Sequence, residues 1–251
     1  MVRRRAVSPE DKAPSAEKLP LLYRTLVPVV PERHSDLRLS SRRDYSFAAE
    51  ANAIPLTVDE IPTAMRHYPI VLAPGRTATP VALVGFEQGK NAFVDKDGAW
   101  QEGTYIPAYV RRYPFGLIRE SAEADRHILC ADMSSTLFGD NAQDQRLFED
   151  DGSPAEAAKR ALDFCQRYVA STERTRTVMQ EAETLGLIGP SEVTITRGGE
   201  KRKVDGFAII SEEKLRGLDD KTLAGLARRG VLTIYAAHQL SLANFSSFGD
   251  A

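Results

Sequence analysis

The chain is poor in several residue types that define common functional classes. It carries only two cysteines, Cys130 and Cys165, in 251 residues. This excludes a dense disulfide framework, and the absence of CxxC spacing argues against a thiolate zinc ribbon or dithiol redox motif. The two thiols are expected to be reduced and buried as small hydrophobes, with a Cys130–Cys165 bridge as the alternative. The four histidines, His34, His67, His127 and His238, are scattered with no second His or Cys at ligand spacing. No metal site is therefore expected.

Charge of one sign is also missing. Thirty-three Lys and Arg oppose 35 Asp and Glu, a formal net charge of −2. Such a balance gives no global field for drawing in nucleic acid or acidic lipid. The basic turn Arg197, Lys201, Arg202 and Lys203 has no interleaved aromatics, so nucleic acid is not expected as a partner. No apolar run approaches the roughly 18 residues that would indicate a membrane span. Arg3, Arg4 and Arg5 are followed by Ala-Val-Ser-Pro-Glu-Asp-Lys with no apolar h-region, so a cytoplasmic location is expected, with surface association only through unconventional export. The dinucleotide, P-loop, zinc-protease and hydrolase-elbow signatures are all absent, and no cofactor is expected.

What remains is ordinary globular sequence, 42% hydrophobic and 27% charged. Residues 1–18 read as a disordered tail and 19–251 as a single domain. The segment Leu19–Pro31 carries Pro20, Pro28 and Pro31 and reads as extended or edge structure. An internal echo follows: Ile61-Pro62 through Leu72 recurs as Ile106-Pro107 through Leu117, with six of twelve positions identical. Each copy reads as a short helix leading through Tyr-Pro into a strand, the two feeding one sheet; a duplicated binding site is the alternative. Either Tyr-Pro bond is open to the cis isomer.

Between the copies, Pro80–Glu87 and Asn91–Asp95 read as meander strands, with turns at Gln88-Gly89 and Asp97-Gly98. Phe115–Ile118 and His127–Met133 read as further strands. The acidic stretch Gly139–Gly152 lacks an EF-hand pattern and reads as a solvated loop. Ser153-Pro154-Ala155-Glu156 has the form of a capping box opening a long helix, whose stripe includes Ala161, Cys165, Tyr168, Met179 and Ala182. A hairpin, Glu192–Thr196 with Lys201–Ile210, turns at Gly198-Gly199. A helix from Asp219 or Asp220 to Gly230 precedes a last strand at Val231–Ala237. The expected class is α+β: mainly antiparallel sheet, meander plus hairpin, packed with one long and several shorter helices.

The densest chemistry lies in Trp100, Tyr105, Tyr109, Arg111, Arg112 and Tyr113, with Phe115 beside them. Aromatic faces next to guanidinium groups can hold a flat ligand, a sugar or a peptide; the competing reading places the tyrosines in the core with the arginines reaching solvent. An enzymatic alternative would draw on Asp95, Arg111, His127 and Asp132 in a cleft near the meander.

The runs Tyr45-Ser-Phe47-Ala48, Ile54-Pro55-Leu56, Tyr68-Pro69-Ile70-Val71, Asn91-Ala-Phe93-Val94-Asp95, Gly98-Ala-Trp100, Tyr105-Ile106-Pro107-Ala108 and Arg112-Tyr113-Pro114-Phe115 resemble those of the SapC family. Leu147-Phe148 with Asp151-Gly152, and the closing Gly230–Tyr235 with Ser241-Leu242, extend the resemblance over most of the chain from Leu19. The resemblance implies a bacterial protein, a family named for association with a paracrystalline surface layer, and relatives found near outer-membrane receptors and halogenase-like flavoproteins. It implies no catalytic residues. The expectation is a non-enzymatic binding or accessory protein with a protein or small-molecule partner. An unfamiliar enzyme acting on a peptide or small molecule, or a structural surface-layer subunit, are the alternatives.

Overall fold

The computed structural model describes residues 19–119, 127–139, 141, 143–197 and 200–247. The expected tail 1–18 and the Gly198-Gly199 turn lie outside them. The chain runs β1 (Val27–Pro28), α1 (Pro31–His34), β2 (Arg38–Leu39), β3 (Ala53–Pro55), α2 (Ile61–Ala64), β4 (Ile70–Ala73) and β5 (Thr79–Leu83). It continues α3 (Ala108–Arg111), β6 (Phe115–Arg119), β7 (His127–Ala131), β8 (Phe138–Gly139), β9 (Gln145–Arg146) and α4 (Glu156–Thr184). The last elements are β10 (Ile188–Arg197), β11 (Glu200–Ile210), α5 (Glu212–Arg216), α6 (Asp220–Arg228), α7 (Val231–Ser241) and α8 (Asn244–Ser247). The fold is α+β, with antiparallel sheets and one long helix.

The described residues form three sheets, ordered β1-β7-β6, β10-β11-β4-β5-β3 and β8-β2-β9. In the five-stranded sheet both faces carry apolar residues, because β4 and β5 are near-continuous apolar runs whose successive side chains alternate between faces. Ile70, Leu72 and Ala82 join the largest core, while Val71, Val81 and Leu83 point the other way into a second cluster with Phe207 and Phe245. The three-stranded β1-β7-β6 sheet contributes Phe115 and Ala131 to a third cluster with Leu147, Phe148 and Cys165.

The 29-residue helix α4 touches all three sheets, through β6, β9 and β5. At 1.5 Å per residue it is about 44 Å long. Its first half supplies Ala157, Ala158 and Cys165 to the Phe115 cluster, and its second half supplies Met179 and Ala182 to the main core. Side chains of the second half also satisfy loop amides: Thr175 Oγ1 accepts from Val58 N at 2.9 Å and Glu183 Oε1 from Ala78 N at 2.8 Å.

The N-terminal extended segment is strapped down by polar groups. Asp132, fully buried, accepts from the amides of Arg24 and Thr25 at 2.8 and 3.1 Å, and from the Ser134 amide and hydroxyl. Tyr23 donates its hydroxyl to the Phe115 carbonyl at 2.5 Å, and Tyr109 donates to the Leu21 carbonyl at 2.7 Å. Pro28 sits on edge strand β1, where its missing donor costs no ladder bond.

Several expectations are corrected. Val231–Ala237 is not a strand but part of α7. Its β-branched and aromatic residues favour strand by type, yet Val231, Tyr235, His238 and Ser241 are buried at helical spacing. The helix also brings polar side chains to strand ends: His238 Nε2 accepts from Ile210 N at 3.1 Å and Ser241 Oγ from Ile70 N at 3.0 Å.

The two echoed segments enter different sheets, β4 in the five-stranded one and β6 in the three-stranded one. Tyr113–Pro114 is the cis bond of the pair. Asn91–Asp95 forms no strand, because the Asn91 side chain bonds the Ala48 carbonyl and the Phe93 amide instead of leaving the backbone to a ladder. A single bridge joins Val94 to Trp100. Gly85 is pressed against this turn: a Cβ there would lie 1.8 Å from the Lys90 carbonyl oxygen.

The acidic stretch 139–152 is not all loop, since β9 within it pairs with β2. Ser153 does not cap α4, which starts after Ala155 with no side-chain cap. The backbone around Ser153 is engaged with the preceding turn, through Glu149 N to Ser153 O at 2.8 Å and Ala155 N to Leu147 O at 2.9 Å.

Candidate functional site

The Trp100–Phe115 segment divides between two environments. Trp100, Tyr109 and Tyr113 are buried, at 7%, 6% and 9% exposure. The Trp100 indole nitrogen donates to the Tyr68 hydroxyl at 3.2 Å, and its ring lies against Phe93 and Tyr45. Tyr113 stacks on Phe47 at 4.0 Å, and its hydroxyl reaches Asp132 at 3.4 Å. Tyr105 and the two arginines lie where α3 meets α4.

This corner is organised by Glu60, a carboxylate only 6% exposed. One of its oxygens accepts from the Thr57 amide and hydroxyl at 2.8 and 2.9 Å. The other accepts from the Tyr105 hydroxyl at 3.1 Å and the Ala108 amide at 2.6 Å, fixing Tyr105 and the first turn of α3. Burial pushes the Tyr105 phenol up to about 12, with nearby Glu60 adding to the effect and Arg111 opposing it. Tyr105 is therefore a neutral donor to Glu60 at ordinary pH.

Arg111 lies along the mouth of a cleft between α3 and α4. Its Nε donates to the Ile106 carbonyl at 2.9 Å and one terminal nitrogen to the Tyr105 hydroxyl at 2.9 Å. The guanidinium carbon sits 5.4 Å from the Tyr105 ring centroid and 5.3 Å from that of Phe164, so two rings hold it in place. The cleft has a volume of about 640 Å³ and is lined by Tyr105, Arg111, Phe164, Arg167, Tyr168 and Arg174, among others. Among its exposed lining residues, Asp59 is held below the usual carboxylate range: burial raises its pKa, but Arg174 and Ser171 outweigh that. Arg111 is exposed and forms no ion pair among the described residues.

Arg112 turns inward. Its guanidinium lies 4.2 Å from the Tyr109 ring, 4.6 Å from Tyr168 and 5.3 Å from Tyr23, and its Nε is buried with no hydrogen-bond partner among the described residues. No carboxylate pairs with it among the described residues. Burial pushes the Tyr168 phenol up to about 12 and the neighbouring Cys165 thiol to about 11, although Arg112 opposes both shifts. A second, smaller pocket of about 260 Å³ lies beside Arg112 and is separated from the first by Arg111 and Phe164, which line both.

Of the polar groups of the enzymatic alternative only Arg111 lines this cleft, and the two carboxylates are engaged elsewhere. Asp95 accepts from the amides of Asp97 and Ala99, Asp132 straps the N-terminal segment, and His127 lies at the far end of β7 from Asp132, paired across to Arg119. Among the described residues no group of three His, Cys, Asp or Glu is placed to hold a metal ion, and no helix is long and apolar enough to cross a membrane.

Sequence reasoning missed the α4 contribution to this corner. Its signal is present: Arg160, Phe164, Arg167, Ser171 and Arg174 recur at alternating spacings of four and three, one face of a helix running beside the core stripe. Tyr23 and Glu60 carry no such local signal, because only the tertiary fold brings them here.

Comparison with curated proteins and with solved structures found no match. A family model does match, that of SapC, and it spans residues 30–248, which include every residue named as lining the two pockets, while Tyr23 of the Arg112 cage lies outside it. The chain belongs to the SapC family.

Proposed function

We propose that this protein is a binding or accessory component of a bacterial cell-surface or nutrient-uptake system, and that the cleft between α3 and α4 receives its partner. The observation that carries the reading is the state of Arg111, an exposed cation held flat by Tyr105 and Phe164 with no carboxylate partner among the described residues. A side chain fixed in this way loses little freedom on binding, which favours it as an anchor. Arg167 and Arg174 border the same cleft, and their acid partners Asp163 and Asp59 are more than a third exposed, so those pairs exchange readily for a ligand's acidic groups. The partner is accordingly an acidic protein segment or small molecule. The family resemblance is what supports the cell-surface setting.

The test is capture from native lysate followed by reconstitution with the identified, purified partner. Wild type is compared with Arg111→Ala and Arg167→Ala, each checked for unchanged melting temperature. At least tenfold weaker binding by the folded variants is expected. Equal binding by all three proteins, or ordered self-association in place of a partner, would overturn the assignment.

A further inference from the structure

We propose that the smaller pocket beside Arg112 is a binding site for a small organic anion, with a carboxylate or phosphate head on the edge of the Arg112 guanidinium and a compact apolar body. The inference goes beyond the accessory reading and does not depend on which partner the larger cleft takes.

Arginine stays protonated in proteins, so Arg112 is a permanent charge lodged largely out of water. Its faces are covered by the rings of Tyr109, Tyr168 and Tyr23, which leaves the guanidinium edge as the direction for hydrogen bonding. Two of those three hydroxyls donate to backbone carbonyls, Tyr109 to Leu21 and Tyr23 to Phe115. Ring faces offset only part of the desolvation of a cation, and a buried charge is ordinarily paired or bonded at its edge. Here the Nε has no hydrogen-bond partner among the described residues.

The lining of the pocket has the chemistry that complements an anion. Arg111, Arg112 and Arg160 contribute three positive charges, and among the described residues no carboxylate lines it. Arg160 is bonded to the Gln145 side-chain oxygen, which leaves the Gln145 amide free to donate, and its ion pair with Glu156 is long, at 3.6 Å, and exposed. The remaining walls are Leu39, Tyr113, Phe115, Ala157, Ala161 and Phe164. A bare oxyanion would leave that apolar surface wetted. A single ring or short chain behind the charged head would cover it, and about 260 Å³ sets the ligand at that size.

Three probes separate head from body: benzoate, inorganic phosphate and neutral benzyl alcohol, each at constant ionic strength, read by thermal shift and titration calorimetry. Saturable binding of benzoate, at least tenfold tighter than benzyl alcohol, is expected; phosphate binding tighter than benzoate would assign the site to oxyanions and overturn the apolar-body part of the proposal. Arg112→Gln should abolish benzoate binding. Because that variant disturbs a packed cage, Arg160→Ala provides the independent check, since Arg160 is exposed and lines this pocket but not the larger cleft. It is expected to weaken benzoate at least fivefold while partner capture through the larger cleft is unchanged. No saturable binding of either anion, or equal benzoate affinity in wild type and Arg160→Ala, would overturn the proposal and leave the Arg111 assignment standing.

Discussion

The carboxylate of Glu60 accepts a 2.6 Å hydrogen bond from the backbone amide of Ala108, a residue 48 positions later in the chain. Glu60 stands immediately before the first echoed Ile-Pro and Ala108 immediately after the second, so one side chain ties the two copies together. Its other oxygen binds Thr57, which closes the turn leading into α2.

Glu60→Ala is expected to destabilise the protein by about 2–4 kcal/mol, because it leaves buried donors of Thr57, Tyr105 and Ala108 without an acceptor. Urea denaturation followed by circular dichroism measures this. A loss within about 0.5 kcal/mol would mean that water replaces the carboxylate.

Trp100→Ala and Arg111→Ala should behave oppositely although both residues come from one segment. Trp100 is buried among Tyr45, Tyr68 and Phe93, and its truncation is expected to cost about 3–5 kcal/mol. Arg111 is exposed, and its removal should change stability by less than about 1 kcal/mol while affecting binding. Denaturant midpoints of the two variants decide the point.

His238 provides a pH signature. Burial lowers its pKa from 6.5 to about 4 in the folded chain, where the ring is neutral and accepts from Ile210 N. Between those values the unfolded chain binds the extra proton, so the stabilisation is fully present above about pH 6.5 and falls with pH down to about 4, by on the order of 1 kcal/mol per pH unit. His67 is shifted in the same direction, so the comparison must be with a His238→Gln variant. Wild type should lose more stability than the variant between pH 7 and pH 5; parallel losses would show that His238 does not titrate on unfolding. Asp132 is held below the ordinary carboxylate range by its strap of amides, which outweighs burial, so its contribution is lost only at more acid pH.

Both cysteines should be inert in the native state. Each is buried, and burial raises each thiol to about 11. At pH 8 that leaves a thiolate fraction of about one in a thousand, against roughly a quarter for a free cysteine. A chromogenic disulfide reagent is expected to label neither thiol in native protein and both in guanidinium. Rapid labelling without denaturant would contradict the burial of that residue.

The long helix, the hairpin and the α6 start were legible because their signals are local. The α4 stripe has a helical period, and Asp219 caps α6 through Thr222 N at 3.0 Å, as its residue type indicates. Helix α7 was not legible, because Val231, Thr233, Ile234 and Tyr235 are strand formers by type and only their packing against β4, α2 and α6 selects the helix. The site was legible only in part. Arg111 and Arg112 stood out beside tyrosines, but that one of the two is exposed between the pockets while the other is turned into a cage of rings is a property of the short helix α3, and their partners Tyr23, Phe164 and Tyr168 come from distant stretches of sequence.

The strap formed by Tyr23, Arg24 and Thr25 on Phe115 and Asp132 bears on where the cooperative unit starts. The family match begins at residue 30, downstream of all three. A protein truncated at that boundary would keep every helix but leave one edge of β7 unpaired, the Asp132 carboxylate stripped of two amide donors, and one wall of the Arg112 cage open to water. For bacterial expression, the first usable start therefore lies before Leu21, and a shorter product is expected to aggregate through the bared strand edge.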